Sequence, residues 1–278
     1  MALYLAFAAA NMTILQKNQK RNHKFMISGP IFGFCMARNM TCIMRIVWAA
    51  KPDNVRIAMT AQILNNAGIL IIYIVNLIFA QRILRAMQPR IGWNKIMSRV
   101  FQLCYILIGA VLVMVITATV ITYYTLNPQT RLACADCLKA AVTFLFFITL
   151  SPLFLLAAAF FLPSSQNHQE SEETFGQNTM RTKALVVLLS ACLAIVIAGF
   201  KLGTTFEPPR PIADPAWYDS KAAFYCFGFL LEIFILGVFQ VARVDRMFHV
   251  PDGSSGVKSY QQAVGSKEME QSRGSEEV

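Results

Sequence analysis

Two opposite charges stand where charge is costly. Arg38 lies inside the mostly apolar run from Phe25 to Ala50, which also contains Arg45, and Glu232 is the single charge in the run from Ala222 to Ala242. A charged side chain at the centre of a bilayer costs about 2.5–3.5 kcal/mol on insertion scales, so it faces the protein interior and takes a partner. Arg38 precedes Ala50 by 12 residues and Glu232 follows Ala222 by 10. At about 1.5 Å per helical residue these depths are about 18 Å and 15 Å below the same surface, so the two charges share a level. Asn65 and Asn66 lie about 12–14 Å deep by the same measure, counted from Ile57, and Gln62 is on the same run. Arg45 follows Arg38 by two turns, shares its face, and is shallow enough to snorkel outward.

Arg38, Arg45, Gln62, Asn65, Asn66 and Glu232 therefore make a candidate polar cluster in the outer half of a membrane bundle. Two readings stand side by side. One is a binding or translocation site for a polar or anionic headgroup, or a receptor pocket. The other is a structural ion pair that fixes helix register. Nothing in the cluster supplies a nucleophile with a base. The chain has no Asp-rich, His-rich or phosphate-cradling motif, and His23, His168 and His249 fall near or beyond the ends of the apolar runs. The expectation is a protein that is not an enzyme and carries no cofactor and no metal.

A second constellation is the CADC motif of Cys134 and Cys137. It reads as part of an outer loop. A lone CxxC without a thioredoxin-like βαβ pattern is weak evidence for redox chemistry, and zinc would need two further ligands nearby. A local disulfide in an oxidising compartment and two free thiols both fit. The other cysteines, Cys35, Cys42, Cys104, Cys192 and Cys226, lie in apolar runs and read as small packing residues.

The elements that must position these residues are long uncharged runs. No Asp, Glu, Lys or Arg occurs from Ile57 to Gln81, Val100 to Thr130, Ala140 to Gln169 or Ala184 to Phe200. Each can hold the roughly 20 apolar residues that a span needs, and helices satisfy their own backbone in lipid. With Phe25–Ala50 and Ala222–Ala242 this makes six. Met1–Leu15 is a seventh, about 22 Å long against a core of about 30 Å; it reads as a short span or the remnant of a longer helix. The fold expected is all-α, a polytopic transmembrane bundle of seven spans over 1–250, followed by a disordered cytoplasmic tail over 251–278. Composition agrees: 56% of the 278 residues are hydrophobic and 14% charged, where soluble domains carry about 25% charged residues. A disordered protein, a coiled coil and a secreted disulfide scaffold are excluded. The 25 Lys and Arg residues against 15 acidic ones sit between apolar runs, which points to membrane lipids as partners and not to nucleic acid.

Basic residues set orientation. The connections 16–24, 81–99, 163–183 and the tail from Arg243 hold 16 Lys and Arg, while 51–56, 124–139 and 201–221 hold 7. The first set is expected in the cytoplasm, with the C-terminus, in the plasma membrane or an endomembrane. The 201–221 connection carries Pro208, Pro209, Arg210, Pro211 and Pro215 before Trp217 and Tyr218. Proline stiffens it and the aromatics suit an interface, so it reads as an outer lid or a rigid connector. Pro30 beside Gly29 suggests a kink in the second span.

Several strings, FGFCMAR (32–38), RIVWA (45–49), IVNLIFAQRILRA (74–86), PPRP (208–211), DPAWY (214–218) and RVDRMFHVP (243–251), together resemble a fungal family of multi-pass membrane proteins known only as a domain of unknown function. The resemblance implies a seven-helix integral membrane protein whose first helix is longer than the one here, and it brings no activity. The layout is also similar to that of fungal lipid-translocating exporters. The function expected is transport or translocation of a lipid or small amphiphilic ligand. The alternative is a seven-helix receptor or sensor that signals through its cytoplasmic loops.

Overall fold

In the computed structural model, which describes residues 1–20, 25–162, 175–208 and 216–250, the chain is helical with no strand among the described residues. The long helices are α1 (Ala2–Lys20), α2 (Ser28–Ala50), α3 (Val55–Met87), α5 (Lys95–Tyr124), α6 (Pro128–Phe161) and α7 (Met180–Phe206), with a short α4 (Pro89–Gly92) between α3 and α5. The last long rod is composite. Lys221–Phe224 (α8) runs into a π-helical stretch, Tyr225–Leu230, and then into α9 (Leu231–Val241); a final turn, α10, covers Val244–Met247.

Polar caps mark the helix starts. Asn54 accepts the Arg56 amide at 3.1 Å, Asn94 the Ile96 amide at 3.0 Å, and Asn127 the Gln129 amide at 3.0 Å with Pro128 at the first helical position. Ser220 does the same for α8 through the Ala223 amide at 3.1 Å. Each cap satisfies amide donors that the first turn leaves free, so the chain reverses in short connections and its helices stand side by side.

Five helices among the described residues have the length and apolar composition to cross a membrane: α3, α5, α6, α7 and the Lys221–Val241 rod. The seven-span expectation is therefore met by five on these measures. The last five residues of α1 are polar (QKNQK), and α2 contains Arg38 and Arg45. Both helices still pack into the bundle, α1 against α2 and α9, and α2 against α3. The central helix is α3, contacted by α2, α5, α6 and α7 and buried almost continuously from Gly68 to Ala86. On α5, the exposed Val100, Leu103, Ile106, Leu107 and Val113 form the apolar outer surface that lipid requires.

Several sequence expectations are corrected. Cys134 and Cys137 are not in a loop. Pro128, capped by Asn127, starts α6 twelve residues before the uncharged run at Ala140 begins, and both thiols are free, Cys134 buried and Cys137 exposed, one turn apart. Cys192 and Cys226 are exposed and do not pack inside. Pro30 makes no kink, because it lies in the first turn of α2, where its missing N–H has no helical acceptor to lose. Lys183 and Lys201, assigned to loops, lie within α7. The 251–278 tail, most of the 163–183 loop and Pro209–Pro215 fall outside the described residues.

The end of the bundle bearing 88–94 is closed by the segment after α9. Arg243 ends that helix in a left-handed conformation, φ 50°. The chain then folds back so that Phe248, fully buried, stacks on Phe79 at 4.2 Å between centroids. The Arg82 guanidinium donates to the Phe248 carbonyl, and the Gln177 amide to the Arg246 carbonyl at 3.0 Å. Gly176, at φ 57°, lets the 175–178 strand of chain lie directly on the Met247 carbonyl, where a Cβ would collide. Lys183, 1% exposed, donates to the Phe175 carbonyl and sits 4.1 Å over the Phe175 ring.

Candidate functional site

The expected pair forms. Arg38 of α2 and Glu232 of α9, each 2% exposed, meet through two parallel contacts: Arg38 Nε donates to Glu232 Oε2 at 2.6 Å, and Arg38 Nη2 donates to Glu232 Oε1. The two-point geometry matches the planar guanidinium to the carboxylate. Arg38 Nη1 donates to the Asn65 carbonyl at 3.0 Å and to Asn65 Oδ1 at 3.1 Å. The rings of Phe34 and Phe229 lie 5.3 Å and 5.2 Å from the Arg38 Cζ. Gly68, one turn along α3 from Asn65, leaves room for the guanidinium; a Cβ there would lie 3.3 Å from Arg38 Cζ.

Tyr4 completes the far side. Its hydroxyl lies 3.0 Å from both Glu232 Oε2 and the Phe229 carbonyl, so its single proton is shared between the two acceptors. Phe229 belongs to the π-helical stretch. A π turn displaces carbonyls from the regular ladder, and such turns are frequent at functional sites. The cluster thus ties α1, α2, α3 and the α9 rod together at one level.

Asn66 points away from its neighbour. Its Oδ1 accepts from Lys201 Nζ of α7 at 2.6 Å. Consecutive asparagines on the central helix therefore receive two cations from two different helices, Arg38 at Asn65 and Lys201 at Asn66. Lys201 also lies within electrostatic reach of both Arg38 and Glu232. Beside it, Phe200 stacks on Phe227 at 4.7 Å and 9°, and Trp217 packs 6.3 Å from each ring.

The structure brings together Arg38, Asn65, Asn66 and Glu232 of the six residues singled out from sequence. Arg45 stands apart, half-buried, its Cζ 4.0 Å over the Phe224 ring and 5.7 Å from that of Tyr225. Gln62 is exposed and does not join. Tyr4 and Lys201 were missed. A tyrosine in an apolar run reads as packing, and Lys201, directly after the uncharged run Ala184–Phe200, reads as the charge that ends a span. The one signal for Lys201 was that Asn66, deep in a membrane run, needs a polar partner. No group of three His, Cys, Asp or Glu side chains converges among the described residues.

Chemically the site is a closed ionic lock flanked by a second cation. Glu232 and Asp245 are the buried carboxylates among the described residues, and Asp245 lies at the other end of the bundle, paired with Arg243 at 3.3 Å. The interior layer therefore holds Arg38 and Lys201 against one carboxylate. Residues 89–178 match the model of a family described as a protein of unknown function, DUF3112. That stretch runs from α4 to the approach to α7 and excludes every residue of the polar layer. No curated protein and no solved structure matches the chain.

Proposed function

We propose that this multi-pass membrane protein binds a lipid or small amphiphile at the level of Arg38 and Glu232 and passes it across or along the bilayer. The observation that carries the reading is the polar layer itself. Charges and amides from α2, α3, α7 and α9 converge through direct hydrogen bonds inside the bundle, with Asn65, Asn66 and Glu232 lying in stretches otherwise free of charge. Intramembrane ionisable groups mark substrate pathways by default. Arg38 and Glu232 sit on different helices, so breaking and remaking their pair is a ready two-state element.

The reading extends to a fungal, seven-helix protein in the manner of lipid-translocating exporters, with the 88–94 end and the C-terminus in the cytoplasm. Comparing cells that have and lack the gene tests it. Altered tolerance to added lysolipids or sphingoid bases, with intact signalling responses, is the expected outcome. Unchanged tolerance with a signalling defect would instead favour a receptor.

A further inference from the structure

The polar layer contains one cation whose charge is answered and one whose charge is not. Four donor contacts of Arg38 are made to Glu232 and Asn65, and its faces are covered by Phe34 and Phe229. It has no room for a ligand while the lock is closed. Lys201 has three ammonium donors and one acceptor, Asn66 Oδ1. The described ion pairs place no carboxylate on it, and Glu232 is already taken by Arg38 and Tyr4. Asn66 supplies a dipole and no counter-charge. A partly buried ammonium without a paired carboxylate carries part of the cost of leaving water, and an incoming anion offsets that cost while the exposed part of the side chain leaves a way in.

Its position suits such a guest. Lys201 is five residues from Phe206, the end of α7, so its Cα lies about 8 Å inside the helix end, within reach of a headgroup. The aromatic group of Phe200, Phe227 and the 68%-exposed Trp217, which starts at the residue preceding Lys201 on α7, offers an apolar surface at the same end of the bundle for the chain of an amphiphile. Thr204 and Thr205 add nothing to the anion site, because both hydroxyls donate to the Lys201 carbonyl.

We infer that Lys201, oriented by Asn66, is the contact point for an anionic group, phosphate or carboxylate, carried by the amphiphile, while Arg38–Glu232 is the lock beside it. This rests on the amphiphile-handling reading above. It assigns the ligand contact to α7 and makes the ligand anionic.

The test uses the full chain in dodecyl maltoside, with the thermal unfolding midpoint followed against dioctanoyl phosphatidic acid, neutral dioctanoyl glycerol and inorganic phosphate. The wild type should be stabilised by the phosphatidic acid and not by the glycerol. Lys201→Gln should weaken that response about tenfold or more, the worth of a charge-assisted contact. Asn66→Asp, which gives Lys201 an internal carboxylate, should weaken it similarly without loss of fold, and Lys201→Arg should keep it. Competition by inorganic phosphate would make a free phosphate sufficient; its absence would make the headgroup and chains act together. Either result supports the site. Equal responses in wild type, Lys201→Gln and Asn66→Asp would overturn the Lys201 assignment and leave amphiphile handling standing. No response of the wild type to charged or neutral amphiphile would overturn both.

Discussion

Arg38 and Glu232, 194 residues apart in the chain, meet edge to edge in the middle of the bundle, with the Tyr4 hydroxyl on one carboxylate oxygen. Removing one partner of a buried pair strands the other charge, at a cost of about 3–5 kcal/mol. Arg38→Ala and Glu232→Ala should each sharply lower the amount of folded protein in the membrane, measured by detergent-resistant monodisperse protein on size exclusion. The double variant should be milder than the sum of the two. Additive losses would mean that the pair is not coupled.

Tyr4→Phe removes the hydroxyl and keeps the ring packed on Phe34 and Phe229. The loss removes the one donor that Glu232 Oε2 and the Phe229 carbonyl share. A stability drop of about 1–3 kcal/mol is expected, seen as a lower midpoint of thermal unfolding in detergent. An unchanged midpoint would show that α1 contributes only apolar packing.

Gly176 and Phe248 close the 88–94 end. Gly176→Ala meets both a positive φ and the Met247 carbonyl, and it should cost more than the roughly 1 kcal/mol that separates compatible from incompatible backbone. Phe248→Ala empties a fully buried site against Phe79 and should cost about 3–5 kcal/mol. Both variants should lower the unfolding midpoint, Phe248→Ala more. Wild-type midpoints would show that the fold-back of 243–250 is not held by these contacts.

How much of this was legible in the sequence varies with the kind of signal. The pairing of Arg38 with Glu232 was legible because helical rise converts residue counts into depth, and opposite charges in apolar runs stand out. The helix borders were less so, because charge was read as the edge of a span. Lys201 and the start of α6 at Pro128 contradict that rule: Asn66 neutralises the need for water at the first, and the Asn127 cap with Pro128 begins the second well before the uncharged run. Tyr4 carried no periodic or charge signal. Its role depends on the carbonyl that the π-helical stretch presents at Phe229, which no local pattern announces.

Cys137 tests the new border and the orientation together. It is an exposed free thiol on α6, while Cys134 is buried. In intact cells an impermeant maleimide should label Cys137 without prior reduction, and Cys137→Ser should abolish most of the signal. Labelling only after permeabilisation would reverse the orientation drawn from the basic residues. Labelling only after reduction would establish a disulfide.

The most direct measurement is translocation by the purified full chain in proteoliposomes, read as dithionite-quenchable fluorescence of a short-chain nitrobenzoxadiazole-labelled phosphatidic acid. The predicted result is faster exchange between leaflets than in empty vesicles, with Lys201→Gln and Asn66→Asp inserted normally but reduced to the empty-vesicle rate. Wild-type vesicles that exchange the probe no faster than empty ones, and do the same with neutral and cationic analogues, would contradict a lipid-handling role for the polar layer.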